Sequence, residues 1–135
     1  MNSPDPYLQP GRSFQRLLDE YRRYGSLVVA FDFDNTVYDF HRQGHTHEQV
    51  IELLRQLHAA GCYLICFTAS ENPTFVRTFL TEHQIPFHSI NENPPFFTGP
   101  PASKIYYNAL LDDRAGLRQV FDELTLLLAH VTPSL

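Results

Sequence analysis

Hydrophobic positions in this chain follow two rhythms: unbroken apolar runs, and stripes that repeat every three or four residues. Phe14, Leu17, Leu18 and Tyr21 make the first stripe, a helix opened by a capping Ser13 and closed by Gly25. The run from Ser26 to about Phe33 predicts a buried strand. Thr46 and Gln49 have capping-box spacing, and Val50, Ile51, Leu53, Leu54 and Leu57 carry the next helix to Gly61. A second strand is predicted from Cys62 to Phe67. Asn72 as cap and Pro73 as first helical residue then lead into Phe75, Val76, Phe79 and Leu80. Phe87 to Ile90 predicts a short third strand and Ile105 to Leu111 a fourth. The last helix, Arg114 to about His130, aligns Leu117, Val120, Phe121, Leu124, Leu127 and Leu128.

Apolar strands alternating with amphipathic helices predict an α/β fold, a three-layer doubly wound parallel sheet of Rossmann-like type with helices on both faces. Residues 1–12, proline-rich at their start, read as a flexible N-terminal arm, and residues 13–135 as a single domain. Between the third and fourth strands the stretch NENPPFFTGPPAS is too broken by proline for regular structure. Sheets of this class bind ligands beyond the carboxyl ends of their strands.

Composition narrows the function classes. A net charge of -5 over 135 residues supplies no broad attraction for nucleic acid or anionic membrane. No apolar run is long enough to span a bilayer, and the polar, proline-rich start does not read as a secretory signal. Cys62 and Cys66, the two cysteines, would stand about 13 Å apart along one strand, too far for a disulfide. Free thiols point to a reducing compartment and a cytoplasmic protein.

The chemistry gathers at three predicted strand ends. Asp32 and Asp34 follow the first strand, Thr68 the second and Asp112-Asp113 the fourth, with Lys104, the sole lysine, just before that fourth strand. Two acids on an apolar strand are costly to bury without a compensating cation. Four carboxylates at one edge suit a hard divalent ion such as Mg²⁺. A cation, a hydroxyl and a lysine together make a seat for a phosphoryl group. An aspartate there could attack phosphorus directly while a second carboxyl group serves the leaving oxygen.

The order DFDNT, CFTAS, Lys104, LLDDR resembles the four motifs of the haloacid dehalogenase-like (HAD) superfamily of phosphohydrolases, over roughly Ser26 to Arg118. The resemblance implies Asp32 as nucleophile and Asp34 as general acid/base, with the Asp34 carbonyl on Mg²⁺. It implies Thr68 and Ala69 at the phosphoryl oxygens, Lys104 bridging nucleophile and phosphoryl charge, and Asp112 and Asp113 completing the metal site. A second aspartate at position 34 points to phosphate esters rather than dehalogenation. Neither Asn35 to Ala59 nor Ala69 to Ser103 has room for a sizeable cap domain, which implies a small capless member with an open site. Such sites suit large substrates or are covered by a second subunit of a homo-oligomer. Asn35 stands where the family often has glycine, and asparagine also tolerates a left-handed turn.

The expected activity is therefore that of a Mg²⁺-dependent phosphomonoesterase working through an aspartyl-phosphate. Its phosphorylated substrate is expected to be a small molecule more than a nucleic acid. The alternatives are a phosphate-binding or phospho-accepting regulatory protein with little turnover and a nucleic-acid-end phosphatase. Receiver domains use similar residues in another order, with the acid pair first and the lysine last. His41, His45 and His47 match no compact zinc spacing and read as a polar loop in which Arg42 is the better anion contact. Phe96 and Phe97 read as packing under the proline-rich loop.

Overall fold

The computed structural model of the protein describes residues 5–99 and 104–131. Its elements run α1 (Arg12–Tyr24), β1 (Val28–Asp32), α2 (Glu48–Ala59), β2 (Tyr63–Phe67), α3 (Pro73–Glu82), β3 (Ser89–Ile90), β4 (Ala109–Leu111) and α4 (Leu117–Val131). All strand pairs are parallel, in the order β3-β2-β1-β4. This is the predicted α/β class, with no cap domain among the described residues. β1 is central because its valines, alanine and phenylalanine can be buried on both faces.

Side-chain alternation along β1 divides the molecule. Val29 and Phe31, and Phe33 just beyond, join one large cluster with Leu17 of α1, Leu54 and Leu57 of α2, Leu80 of α3 and Leu124 and Leu127 of α4. Val28 and Ala30, with Ile65 of β2, pack instead against Tyr63, Phe67, Ile105, Tyr107 and Leu110. No helical residue belongs to that second cluster among the described residues. The periodicity predicts helices on both faces, and the second face departs from this for a local reason. The β3-to-β4 connection carries Pro94, Pro95, Pro100 and Pro101, and its described residues form no helix.

Several predicted boundaries hold. Asn72 accepts the Phe75 N–H at 3.0 Å to cap α3, with Pro73 first in the helix. Gly25, at φ 75°, closes α1. Others are displaced by side chains that take over backbone partners. His88 Nδ1 accepts the Leu64 N–H at 2.9 Å, and β3 shrinks from the predicted Phe87–Ile90 to Ser89–Ile90. Asn108 Oδ1 accepts the Val28 N–H at 2.6 Å, and β4 begins at Ala109 rather than Ile105. Ser13 does not cap α1: the cap is Gly11, and Ser13 Oγ donates to Glu123 of α4 at 2.9 Å. The Thr46–Gln49 box is likewise absent, because α2 starts after His47, whose φ of 54° is left-handed. α4 starts at Leu117, since Asp112 first turns the chain by accepting the Arg114 N–H at 2.8 Å. Within the segment predicted as an arm, Pro6–Leu8 form one 3-10 turn capped by Asp5.

Candidate active site

Strand register assembles the site. Asp32 is the last residue of β1 and pairs with Phe67, so Thr68 and Ala69 emerge beside it. Phe31 pairs with Leu111 on the other flank, so Asp112 and Asp113 emerge there. The order reverses direction between β1 and β4, which is where sheets of this class place their ligands.

Past Asp32 the chain folds into a tight knot. The Phe33 N–H donates to the Phe67 carbonyl at 3.1 Å, and the Phe33 carbonyl accepts from Val37 at 3.1 Å and Tyr38 at 3.0 Å. Asn35 holds φ 60°, a left-handed conformation that asparagine tolerates. Phe33 is buried and stacks on Tyr38 with centroids 5.0 Å apart. The knot fixes Asp34 while leaving its carbonyl without a hydrogen bond from any described residue. Thr36 is fully buried, and its Oγ1 accepts the Asp113 N–H at 3.2 Å, tying this knot to the β4 end.

Asp32, Asp112 and Asp113 each bring a carboxylate oxygen to within 4.8 Å of the others. Burial and the neighbouring acids act together on the titration of Asp32. Burial, then the Asp112 charge, then a hydrogen bond and the charge of Asp113 push it up to about 7, against a smaller opposing pull from the Phe33 N–H. Burial, followed by the Asp113 charge, also raises Asp34. The Asp34 carboxylate is not part of the three-oxygen group. Three oxygen donors and no sulfur or nitrogen fit a hard divalent cation, and the strain on Asp32 is what such an ion relieves.

Beside the acids lies an open cavity of about 420 Å³. Asp32, Thr68, Ala69 and Lys104 line it together with Phe67, Asn91, Ile105 and Tyr107. Lys104 is exposed and forms no ion pair among the described residues. Thr68 Oγ1 accepts the Ser70 N–H at 3.0 Å, which leaves its own proton available to a ligand. The Ala69 N–H donates to no described residue. The structure thus brings Asp32, Thr68, Ala69 and Lys104 to one cavity and joins Asp32 to Asp112 and Asp113, with Asp34 at the rim of the same strand end.

Sequence reasoning missed Asn91. At φ 56°, its Oδ1 accepts the Thr68 N–H at 3.0 Å and its Nδ2 donates to the Thr68 carbonyl at 2.7 Å. This two-point clamp sets the loop that presents Thr68 and Ala69. An asparagine just past a predicted strand was its only trace in the sequence. Thr36 and the wall residues Phe67, Ile105 and Tyr107 were likewise given no role in the site.

The His41–His47 loop contributes no metal-binding group among the described residues. Asp39 organises that loop, its carboxylate accepting the Gly44 N–H at 2.7 Å and the His45 N–H at 3.2 Å. Phe97 stacks on Tyr106 at 5.8 Å, whereas Phe96 is 63% exposed.

No protein-family model matches the chain, and no curated protein does. A solved structure of a conserved protein from Bacteroides thetaiotaomicron is 18% identical and covers 75% of this chain and 91% of its own, with a TM-score of 0.61. That likeness is one of fold. A Vibrio cholerae protein of solved structure is 21% identical over 78% of this chain and 99% of its own, with a TM-score of 0.42. Among the described residues no helix is long and apolar enough to cross a membrane.

Proposed function

We propose that this chain is a Mg²⁺-dependent phosphomonoesterase of the haloacid dehalogenase-like type, forming an aspartyl-phosphate on Asp32. The observation that carries the reading is the junction of two features at one residue. Asp32 belongs both to the three-carboxylate group and to the cavity shared by Thr68, Ala69 and Lys104. Asp32, Asp112 and Asp113 would hold Mg²⁺, with the free Asp34 carbonyl as a further ligand. The ion supplies charge neutralisation for the phosphoryl group and for the acids themselves.

The chain's own groups supply the remainder. The Thr68 hydroxyl, the Ala69 N–H and the Lys104 ammonium bind the phosphoryl oxygens and aim phosphorus at Asp32. Asp32 attacks as a carboxylate. Asp34, held protonated more readily by its burial, donates to the leaving oxygen and then accepts a proton from the water that hydrolyses the acyl phosphate. Two buried free thiols, Cys62 and Cys66, fit a reducing compartment, and we place the protein in the cytoplasm. The substrate in this reading is a small phosphorylated molecule, and a second copy of the chain would serve to cover the open site.

The test is phosphate release from a panel of monoesters with Mg²⁺. Turnover lost on chelation, and lowered by at least about 10³-fold in Asp32→Glu, supports the reading. Mg²⁺ bound at the three acids with no release across the whole panel refutes it.

A further inference from the structure

The cavity beside Asp32 is lined by two unlike sets of residues. The set already described, Asp32, Thr68, Ala69 and Lys104, is charged and rich in donors. The other comprises Phe67, Ile105 and Tyr107, which pack on the sheet face whose core cluster includes no helical residue among the described residues. All three are partly buried against Val28, Ala30 and Ile65, so each offers a held surface to the cavity. Phe67 and Tyr107 meet edge to face, with centroids 5.8 Å apart and planes at 74°, which fixes both rings.

Side-chain hydrogen-bonding groups are few along this wall. Asn91 is its one side-chain amide, and the Thr68 backbone already takes one of its two donors and one of its two acceptor positions. Beside the remainder of that amide, the Tyr107 hydroxyl is the wall's other polar side-chain group among the described residues. A polyol turned toward Phe67 and Ile105 would give up water and gain nothing in return. A flat apolar ring would gain contact with three fixed apolar surfaces. The volume, about 420 Å³, lies in the range of sites that enclose small organic ligands.

From this division we infer that the site takes aryl phosphate monoesters, the ring lying against Phe67, Ile105 and Tyr107, in preference to sugar or glycerol phosphates. The inference rests on the phosphohydrolase reading for its chemistry. The Asp32 oxygen forms a bond to phosphorus as the phosphorus–aryl oxygen bond breaks. The electron pair stays on the aryl oxygen, which takes the Asp34 proton and departs as a phenol. Water then forms the new bond to phosphorus, giving its proton to Asp34, and inorganic phosphate leaves as Asp32 regains its carboxylate.

Aryl esters are also intrinsically better leaving groups, so turnover alone does not test recognition. The test is binding of two non-hydrolysable phosphonates, benzylphosphonate and 2,3-dihydroxypropylphosphonate, by calorimetry with Mg²⁺ present. Benzylphosphonate is expected to bind at least tenfold more tightly. Tyr107→Ala and Ile105→Ser should each cut that preference at least threefold, while Tyr107→Phe keeps it, with circular dichroism confirming the fold of each. Equal affinities in the wild type, or a preference untouched by Tyr107→Ala and Ile105→Ser, overturn the inference. Turnover of esters with equal phosphonate affinities overturns the inference and leaves the hydrolase standing. A benzyl preference without turnover of any ester supports the ligand class and refutes the hydrolase.

Discussion

Replacing Asp32 by asparagine should stabilise the metal-free protein, although the same change removes the proposed nucleophile. In the folded chain Asp32 is pushed from its ordinary 3.8 to about 7. Taken at face value, that displacement corresponds to roughly 4 kcal/mol, and because the side chain is partly exposed, solvent screening leaves about 1–2 kcal/mol. The sign follows from proton counting. Between pH 3.8 and about 7 the folded state holds a proton that the unfolded state has released. Stability therefore falls as pH rises through that window and levels off above it. The substituted amide carries no charge and escapes the loss. In EDTA at pH 8, Asp32→Asn should melt higher than wild type by roughly 3–8 °C, and the gap should close as pH falls toward 4. Added Mg²⁺ should raise the wild-type melting temperature more than the variant's, narrowing the gap from the other side. Calorimetric or fluorescence-monitored melts at four or five pH values suffice. Identical melting temperatures at pH 8 in EDTA, or a gap indifferent to pH, would show that no uncompensated charge resides at this strand end.

The clamp on Thr68 predicts a rate effect out of proportion to its stability effect. Asn91→Gly keeps the left-handed backbone but removes both hydrogen bonds, and should cost about 1 kcal/mol in folding with a roughly 10²-fold fall in phosphate release, measured side by side. Asn108 is the converse case, remote from the acids and structural in role. Its Oδ1 accepts from Val28 at 2.6 Å while its Nδ2 donates to Glu20 at 2.9 Å and the Tyr106 hydroxyl at 3.1 Å. Asn108→Ala should lower the urea midpoint by the equivalent of about 2–3 kcal/mol at unchanged slope, and a loss under about 0.5 kcal/mol would contradict this account of β4.

Much of the fold was legible because local chemistry and global packing agree. The β-branched run of β1, the Asn72-Pro73 start of α3 and the apolar stripes of all four helices survive into the structure with small shifts. Misreadings arose where a side chain stands in for backbone. His88 and Asn108 each take an amide that a strand carbonyl would otherwise receive, and period-two patterning carries no sign of this. Helix starts were misplaced for a related reason, since Ser13 and Thr46 have capping chemistry but a left-handed Gly11 and His47 do the turning. In the site, the acids and Thr68 could be read because motifs at strand ends converge by topology. Asn91 could not, because its partner lies 23 residues earlier and the contact depends on the β2–β3 register. The face with no helix among the described residues was hidden too, as alternation of strands and helices counts elements without saying which side of the sheet each one covers.

That uneven covering gives β1 a division of labour by parity. Odd positions, Val29 and Phe31, are locked among four helices, where any change in volume is felt across the core. Even positions lead from Val28 through Ala30 to Asp32, beneath a wall drawn from strand ends and one connection. Alterations to that wall need not be negotiated with the helical core. On the proposed phosphohydrolase reading, exchange of Phe67, Ile105 or Tyr107 would change the esters accepted while the acids, the clamp and the fold stay as they are. In that reading the proline-rich connection, which forms no helix among its described residues, separates the choice of substrate from the stability of the core.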